Sequence, residues 1–212
     1  MNSPVLELAV RRVKPGREDD FRAARSAFLS QWKTQPGATA DREFAALMTL
    51  PTPMEGVFVG MTAWESPEAY QAASGKFWDD PVLSNFMDTV EIVAFAIIRQ
   101  TEGPAIDLAS LATEGQVLEV AVRAPKGVDV QTFEDARQGY VGALGTQPGV
   151  LASYEFAIVD EPMEGRRVGM TLYASKQGWQ DAMSAAGQSE AGGRFFSVID
   201  PTVVAYVAPT SV

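Results

Sequence analysis

Two stretches of the chain carry the same pattern. Residues 5–37 and 117–149 are identical at 14 of 33 positions, including a VLE-x-AVR start and a TQPG end. Residues 53–62 and 162–171 share PMEG and VGMT. The separation along the chain between these two stretches is three residues shorter than the separation between the first two. A duplicated pattern of this length is typical of two modules with the same fold, so the repeat constrains the architecture before any other feature does.

The repeat divides the 212 residues into two parts of ordinary domain size. We predict a first module over residues 1–98, a linker over 99–116 and a second module over 117–212. With 46% hydrophobic and 21% charged residues, the composition is that of a globular protein with a buried core.

The net charge of −10 argues against partners that carry negative charge. Acidic residues outnumber basic residues in both halves and no basic run occurs, so neither nucleic acid nor an anionic membrane surface is an expected partner. The N-terminal residues show no signal-peptide pattern, and no apolar run approaches the ~18 residues of a membrane span. Together with the absence of cysteine, these features predict a cytoplasmic protein.

The absence of histidine and cysteine removes several kinds of site. Zinc and haem sites usually need one of these residues, as do Ser-His-Asp and Cys-His catalytic arrangements. The sequence also contains no EF-hand spacing and no GxGxxG or P-loop run. It therefore predicts neither a metal site nor a bound cofactor.

The pattern of apolar residues predicts the same order of elements in each copy. In the first copy, residues alternate as in a half-buried strand, then recur at helical spacing. The predicted elements are a strand over 5–11, a helix over 17–33, strands over about 40–48 and 57–64, a helical region from the N-cap Ser66 that is interrupted near 79–81, and a strand over 92–98. This β-α-β-β-α-β order is typical of ferredoxin-like folds.

A four-stranded sheet with helices on one side leaves its other face bare. Two such modules in one chain can bury their bare faces against each other, which closes a barrel between them. We therefore predict an α+β protein in which two ferredoxin-like modules form an intrachain α+β barrel. Such a chain is a self-sufficient pseudo-dimer, for which further homodimerisation stays open.

The run VGMTAWESPEAY at residues 59–70 resembles the signature of the antibiotic biosynthesis monooxygenase-like family. Members of that family are dimeric α+β barrels made of ferredoxin-like subunits, so the resemblance implies that this repeat supplies both subunits in one chain. The signature is clear in the first copy, whereas the second copy has Tyr173-Ala174-Ser175-Lys176 in place of Trp-Glu-Ser-Pro.

This sequence departs from the residues on which the family's chemistry commonly depends. Cofactor-independent oxygenases and haem-degrading members rely on an Asn in strand one, a Trp in helix two and a His after it. Here strand one has no Asn, Ala73 stands at the Trp position, and the chain has no His. The resemblance therefore implies the fold, and it implies that any oxygenase activity uses other residues and no haem.

Candidate site residues follow from the alternation within the strands. If Leu6, Leu8 and Val10 face the helices, the alternate residues face the barrel interior. We expect that interior to bind a small aromatic or hydrophobic molecule, with Trp64 and Tyr173 as aromatic walls. The predicted binding residues are Glu7, Arg11, Thr62, Trp64, Glu119, Arg123, Thr171 and Tyr173. Glu43 or Glu155 is the predicted catalytic base, because burial brings the pKa of a carboxyl closer to neutral pH.

Three functions stay open at this point. The first is a cofactor-independent, monooxygenase-like enzyme acting on an aromatic substrate, and the second is a non-catalytic protein that binds a small ligand in the same interior. The third is a structural or interaction module with a filled barrel, in which the Glu and Arg residues are structural pairs. Differences between the copies, such as Phe77-Trp78 against Ala186-Gly187, predict that any site is asymmetric.

Overall fold

The computed structural model describes residues 3–159 and 165–210. The second PMEG segment therefore lies, apart from Gly165, outside the described residues. The strands are β1 (Val5–Val13), β2 (Ala38–Leu50), β3 (Val57–Trp64), β4 (Val90–Glu102), β5 (Val117–Pro125), β6 (Val150–Ile158), β7 (Arg167–Tyr173) and β8 (Ile199–Pro209). The helices are α1 (Glu18–Trp32), α2 (Pro67–Phe77), α3 (Pro81–Met87), α4 (Val130–Gly145), α5 (Lys176–Gly187) and α6 (Glu190–Ser197).

The eight strands form one closed antiparallel barrel. Their order around it is β1-β3-β2-β8-β5-β7-β6-β4. The two halves of the chain join where β2 pairs with β8 and where β4 pairs with β6. The order strand, helix, strand, strand, two helices, strand occurs once in each half. The prediction of an α+β barrel is confirmed.

Local sequence signals set the helix boundaries of the first half. The side chain of Ser66 accepts a hydrogen bond of 3.2 Å from the Ala69 amide, and Pro67 follows at the first helical position. The predicted interruption is the break between α2 and α3, where the Asp80 carboxylate accepts a 2.8 Å bond from the Val82 amide. Among the described residues, no helix is long and apolar enough to cross a membrane.

The barrel interior is filled with apolar side chains from both halves. Leu8, Phe44, Leu118 and Phe156 are each fully buried in this cluster, together with inward residues of the other strands. An eight-stranded barrel encloses a space that side chains alone can fill. The interior therefore forms the shared core of the two halves.

The predicted assignment of the strand faces is wrong. Leu6, Leu8 and Val10 point into the barrel, whereas Glu7 and Arg11 lie on the outer face beneath the helices. Alternation separates the residues of a strand into two sets, but it does not say which layer covers each set. The enclosed interior takes the apolar set because it offers no partners for charges, while a helix can supply them.

Part of the predicted linker belongs to the core. Strand β4 continues to Glu102, and Leu108 and Ala112 pack against the barrel cluster. The guanidinium group of Arg42 holds this segment by donating to the carbonyl oxygens of Ala109 and Ala112, at 2.8 and 2.7 Å. The connection is therefore a folded part of the barrel and does more than span two modules.

Replacing Phe156 with alanine tests the filled interior. Because Phe156 is fully buried there, Phe156→Ala should lower the free energy of unfolding by about 3–5 kcal/mol, measured by urea denaturation. Leu151, on the same strand, is 52% exposed, so Leu151→Ala should change it by no more than about 0.5 kcal/mol. Equal effects of the two substitutions would contradict a close-packed interior.

Candidate functional site

Two cavities lie between the outer face of the sheet and the helices, one in each half. The N-terminal cavity has a volume of about 560 Å³, and the C-terminal cavity one of about 570 Å³. The N-terminal cavity is lined by Glu7, Ala9, Arg11, Phe28, Trp32, Tyr70, Ser74, Phe77, Trp78, Leu83, Ser84, Phe86, Met87, Ile92 and Phe95. The lining of the C-terminal cavity includes Leu50, Pro51, Glu102, Gly103, Glu119, Arg123, Arg137, Tyr140, Glu155, Thr171, Met183, Phe195, Phe196 and Tyr206.

The structure divides the predicted site residues between these cavities. Glu7 and Arg11 line the N-terminal cavity; Glu119, Arg123, Glu155 and Thr171 line the C-terminal cavity. Thr62 borders a much smaller adjoining space. Trp64 and Tyr173, predicted as aromatic walls, are completely buried. These residues were predicted to line one space inside the barrel, whereas the structure places them outside it and in two separate cavities.

Each half buries an ion-pair network between its first helix and its sheet. In the first half, Arg25 Nε of α1 lies 2.7 Å from Glu43 Oε2, while Arg11 Nη2 lies 3.9 Å from that same oxygen. In the second half, Arg123 Nη2 lies 2.7 Å from Glu155 Oε2, and Arg137 Nη1 of α4 lies 3.8 Å from it. Glu43 and Glu155 are therefore held by two guanidinium groups each.

Additional carboxylates draw Arg137 away from Glu155. Arg137 contacts Glu134 at 2.6 Å and Glu102 at 2.5 Å. The first half lacks a counterpart of this arrangement, because Arg22 stands at the repeat position of Glu134. The two networks therefore pair their arginines differently, although Arg25 and Arg137 are identical in the repeat.

Glycines on β3 and β7 make room for the buried arginines. A Cβ atom at Gly60 would stand 1.8 Å from Arg11 Nη2, and one at Gly169 would stand 2.1 Å from Arg123 Nη1. Any side chain at either position must displace a guanidinium group. The VGMT motif shared by the two copies thus contains a glycine that the ion-pair network requires.

Glu7 and Glu119 differ from the ion-paired glutamates because a neutral group holds each of them. The indole Nε1 of Trp32 donates to Glu7 Oε2 at 2.8 Å, and the Tyr173 hydroxyl donates to Glu119 Oε2 at 2.8 Å. Burial raises the pKa of both carboxyls above the ordinary range, although the hydrogen bonds from Trp32 and Tyr173 act in the opposite direction. Both carboxyls lie at the floor of a cavity and are suited to accept a proton.

Three phenols surround Glu119 in the second half. Burial raises the pKa of Tyr140, Tyr173 and Tyr206, and the nearby charge of Glu119 raises each further, so all three stay protonated at neutral pH. The hydroxyls of Tyr140 and Tyr206 reach the Met183 sulfur at 3.4 and 3.9 Å. A thioether is a weak acceptor, so these hydroxyls are available to donate to an oxygen of a bound molecule.

The first half of the chain also contributes to the C-terminal cavity. Leu50 and Pro51, at the end of β2, and Glu102 and Gly103, at the end of β4, line it. The lining of the N-terminal cavity comes from residues 7–95 alone. The two cavities are therefore asymmetric, because residues of both halves line the C-terminal one and residues of the first half line the N-terminal one.

Several residues of these sites escaped the sequence analysis. Trp32 and Tyr140 lie on the buried sides of α1 and α4, yet each lines a cavity, and Trp32 holds Glu7. Arg25 and Arg137 lie on the same two helices and contact Glu43 and Glu155. Their identity in both copies was the available signal for the ion-pair networks. In the part of the chain that the structure describes, no group of three or more acidic residues is placed to hold a metal ion.

The glycine contact predicts the effect of a single added methyl group. Gly169→Ala should lower the free energy of unfolding by about 1–3 kcal/mol, because the Arg123 guanidinium must leave its place beside Glu155. Gly142→Ala, in α4 with no atom close to the added carbon, is the matched control and should be neutral or stabilising by up to about 1 kcal/mol. Thermal unfolding of the two variants decides between these outcomes.

Glu119 predicts a specific dependence of stability on pH. Because its pKa is raised in the folded state, the folded protein retains a proton that the unfolded chain releases above the ordinary pKa of 4.5. Wild-type stability therefore falls as pH rises through this interval, whereas the neutral amide of Glu119→Gln does not titrate. We expect the melting temperature of Glu119→Gln, relative to wild type, to increase from pH 4 to pH 8. Exposed Glu91→Gln should show no such trend, and a parallel trend in both variants would refute the assignment.

Neither protein-family models nor curated proteins match the sequence, but solved structures share its fold. An anthrone oxidase-like protein has a TM-score of 0.69 at 15% sequence identity. The match covers 98% of this chain and 91% of the anthrone oxidase-like chain. A Fusobacterium nucleatum protein provisionally named a monooxygenase has a TM-score of 0.63 at 10% sequence identity. The match covers 99% of this chain and 94% of the Fusobacterium chain. A dye-decolorizing protein from V. cholerae has a TM-score of 0.62 at 11% sequence identity. The match covers 99% of this chain and 94% of the V. cholerae chain. At these identities the likeness shows the fold, an α+β barrel found in proteins with monooxygenase names.

Proposed function

We propose that the protein is a cofactor-independent oxygenase that acts on a small polycyclic aromatic molecule in the C-terminal cavity. Residues 1–98 and 117–212 are then two ferredoxin-like modules that have taken different roles. The observation that carries the proposal is the buried carboxyl of Glu119, which stands in a largely apolar cavity and is held by the Tyr173 hydroxyl. The monooxygenase-like fold supports the same reaction class.

Glu119 is a better base than the predicted Glu155 or Glu43. Glu155 lies 2.7 Å from the Arg123 guanidinium and Glu43 lies 2.7 Å from that of Arg25. In both cases the guanidinium group engages a carboxylate oxygen that would otherwise be free to take a proton from a substrate, although burial raises the pKa of Glu155. Glu119 has no such close partner in the described ion pairs, and burial brings its pKa toward the working range of a general base.

The geometry suits a substrate with an acidic methylene group conjugated to a ring ketone, such as an anthrone. Glu119 removes one methylene proton, and the electron pair moves into the ring system as an enolate. The hydroxyls of Tyr140 and Tyr206 donate to the enolate oxygen, since their own acceptor is the weakly accepting Met183 sulfur. Aromatic side chains such as Phe195 provide the apolar surface for the rings.

Dioxygen completes the reaction. The enolate transfers one electron to dioxygen, and the two radicals combine to form a C–O bond at the former methylene carbon. The proton held by Glu119 returns to give a hydroperoxide. Loss of the second C–H proton then breaks the O–O bond, leaving a new carbonyl group and releasing water. One oxygen atom enters the product and the other leaves as water, so anthrone and dioxygen balance anthraquinone and water.

Oxygen consumption with anthrone tests the proposal. Replacing Glu119 with glutamine should lower kcat by about 10²-fold or more, because the amide cannot accept the proton. The rate above the uncatalysed background is measured with an oxygen electrode, and the quinone product by its absorbance. Glu91→Gln, at an exposed position, is the control and should retain the wild-type rate.

Two further variants locate the base. A selective loss in Glu155→Gln would assign the base to Glu155, and a selective loss in Glu7→Gln would move the reaction to the N-terminal cavity. Unchanged rates in Glu119→Gln would reject the mechanism.

The second candidate is a non-catalytic protein that binds a small ligand in the C-terminal cavity. The apolar lining and the cavity volume of about 570 Å³ favour it independently of Glu119 chemistry. It predicts that anthraquinone raises the melting temperature while wild type consumes no oxygen above background.

A further inference from the structure

The mouth of the N-terminal cavity is apolar and open to solvent. Trp78 is 75% exposed, Ile92 42%, Phe95 40% and Met87 38%, and all four line this cavity. Trp78 keeps three-quarters of its surface in water and so contributes little to the core, yet it stands beside three other exposed apolar side chains. The second half has Gly187 at the position of Trp78, so the repeat does not require an aromatic residue here.

The floor of this cavity holds a cation that is less well paired than its counterpart. Arg11 is 6% exposed and lies 3.9 Å from Glu43, which is held closely by Arg25 at 2.7 Å. The Nε atoms of Arg11 and Arg123 both lack a hydrogen-bond partner among the described residues, but Arg123 makes a close contact with its glutamate through Nη2, at 2.7 Å. Its guanidinium carbon lies 5.0 Å from the ring centre of Phe86. A buried guanidinium group in this state favours an anionic partner.

The balance of charge beneath the helices supports the same conclusion. Arg11 and Arg25 share one ion-paired carboxylate, Glu43, while the remaining one, Glu7, is held by the Trp32 indole and forms none of the described ion pairs. In the second half, Glu102 and Glu134 engage the helix arginine and leave Glu155 to Arg123 at 2.7 Å. The two cavities thus have similar volumes, but in the described ion pairs the N-terminal network has two arginines to one carboxylate, whereas the C-terminal network has as many carboxylates as arginines.

We infer that the N-terminal cavity is a second binding site, for a flat aromatic molecule that carries one anionic group. The aromatic rings pack against Trp78, Phe95 and Phe86, and the anionic group accepts hydrogen bonds from Arg11 at the floor. The site does not depend on catalysis in the C-terminal cavity. Because the whole chain carries a charge of −10, an anion bound here is held by the local cation and not by general attraction to the protein.

Two fluorescent probes that differ by one charge test this site. Anilinonaphthalene sulfonate is aromatic and anionic, and phenylnaphthylamine has the same rings without the sulfonate. We expect saturable binding of one sulfonate probe per chain, with energy transfer from tryptophan. Arg11→Gln should weaken the anionic probe about tenfold or more and leave the neutral probe within about twofold. Arg22→Gln, an exposed position on α1, is the control for a general loss of positive charge.

A second variant keeps the test independent of the buried network. Trp78→Ala removes an exposed side chain, so it should leave the melting temperature unchanged while it weakens both probes about fivefold or more. The inference is overturned if the anionic probe does not bind saturably, or if Arg11→Gln weakens both probes equally. It is also overturned if Trp78→Ala leaves both affinities unchanged, or if Arg123→Gln causes the selective loss in place of Arg11→Gln.

Discussion

Closing eight strands around an apolar interior determines where the charged residues of this chain can lie. The enclosed space is filled by side chains such as Phe44 and Phe156, so it offers neither water nor partners to a charge. The strand residues Glu7 and Glu43 therefore face outward, where a helix covers each of them and supplies a partner. Trp32 does this for Glu7, and Arg25 does it for Glu43. The cavities form where the helix layer, held over these polar groups, does not reach the sheet.

The elements were predictable because their signals are local, while the site was only partly predictable. Ser66 and Asp80 mark the starts of helices by accepting hydrogen bonds from amides no more than three residues away. In β1, the alternation of side chains between the two faces can be read from the seven residues 5–11 alone. The facing of the strands depends on which distant layer covers each side, and the sequence of β1 contains no such information. Glu7 and Arg11 were therefore identified as a pair but placed on the wrong side of the sheet.

The differences between the halves arise from few residues. Glu134 of α4 stands where α1 has Arg22, and it shares Arg137 with Glu102 from the far end of β4. That competition leaves Glu155 to the strand arginine, whereas in the first half the helix arginine takes Glu43. The two halves thus differ on the surface of a helix and also in which guanidinium group pairs closely with the glutamate beneath it. Electrostatic character can therefore change without any substitution in the cavity floor.

The joining of two halves in one polypeptide has a consequence for heredity. In an assembly of two identical chains, a mutation at the position of Trp78 would enter both cavities at once. Here Trp78 and Gly187 are encoded by separate codons of one chain. A substitution at one of these positions therefore changes one half of the protein and leaves the other half as it was. The shared barrel core has no such freedom, because residues from both copies meet in it. Substitutions can thus diversify the two outer surfaces, while the barrel core stays constrained by the packing of both halves against each other.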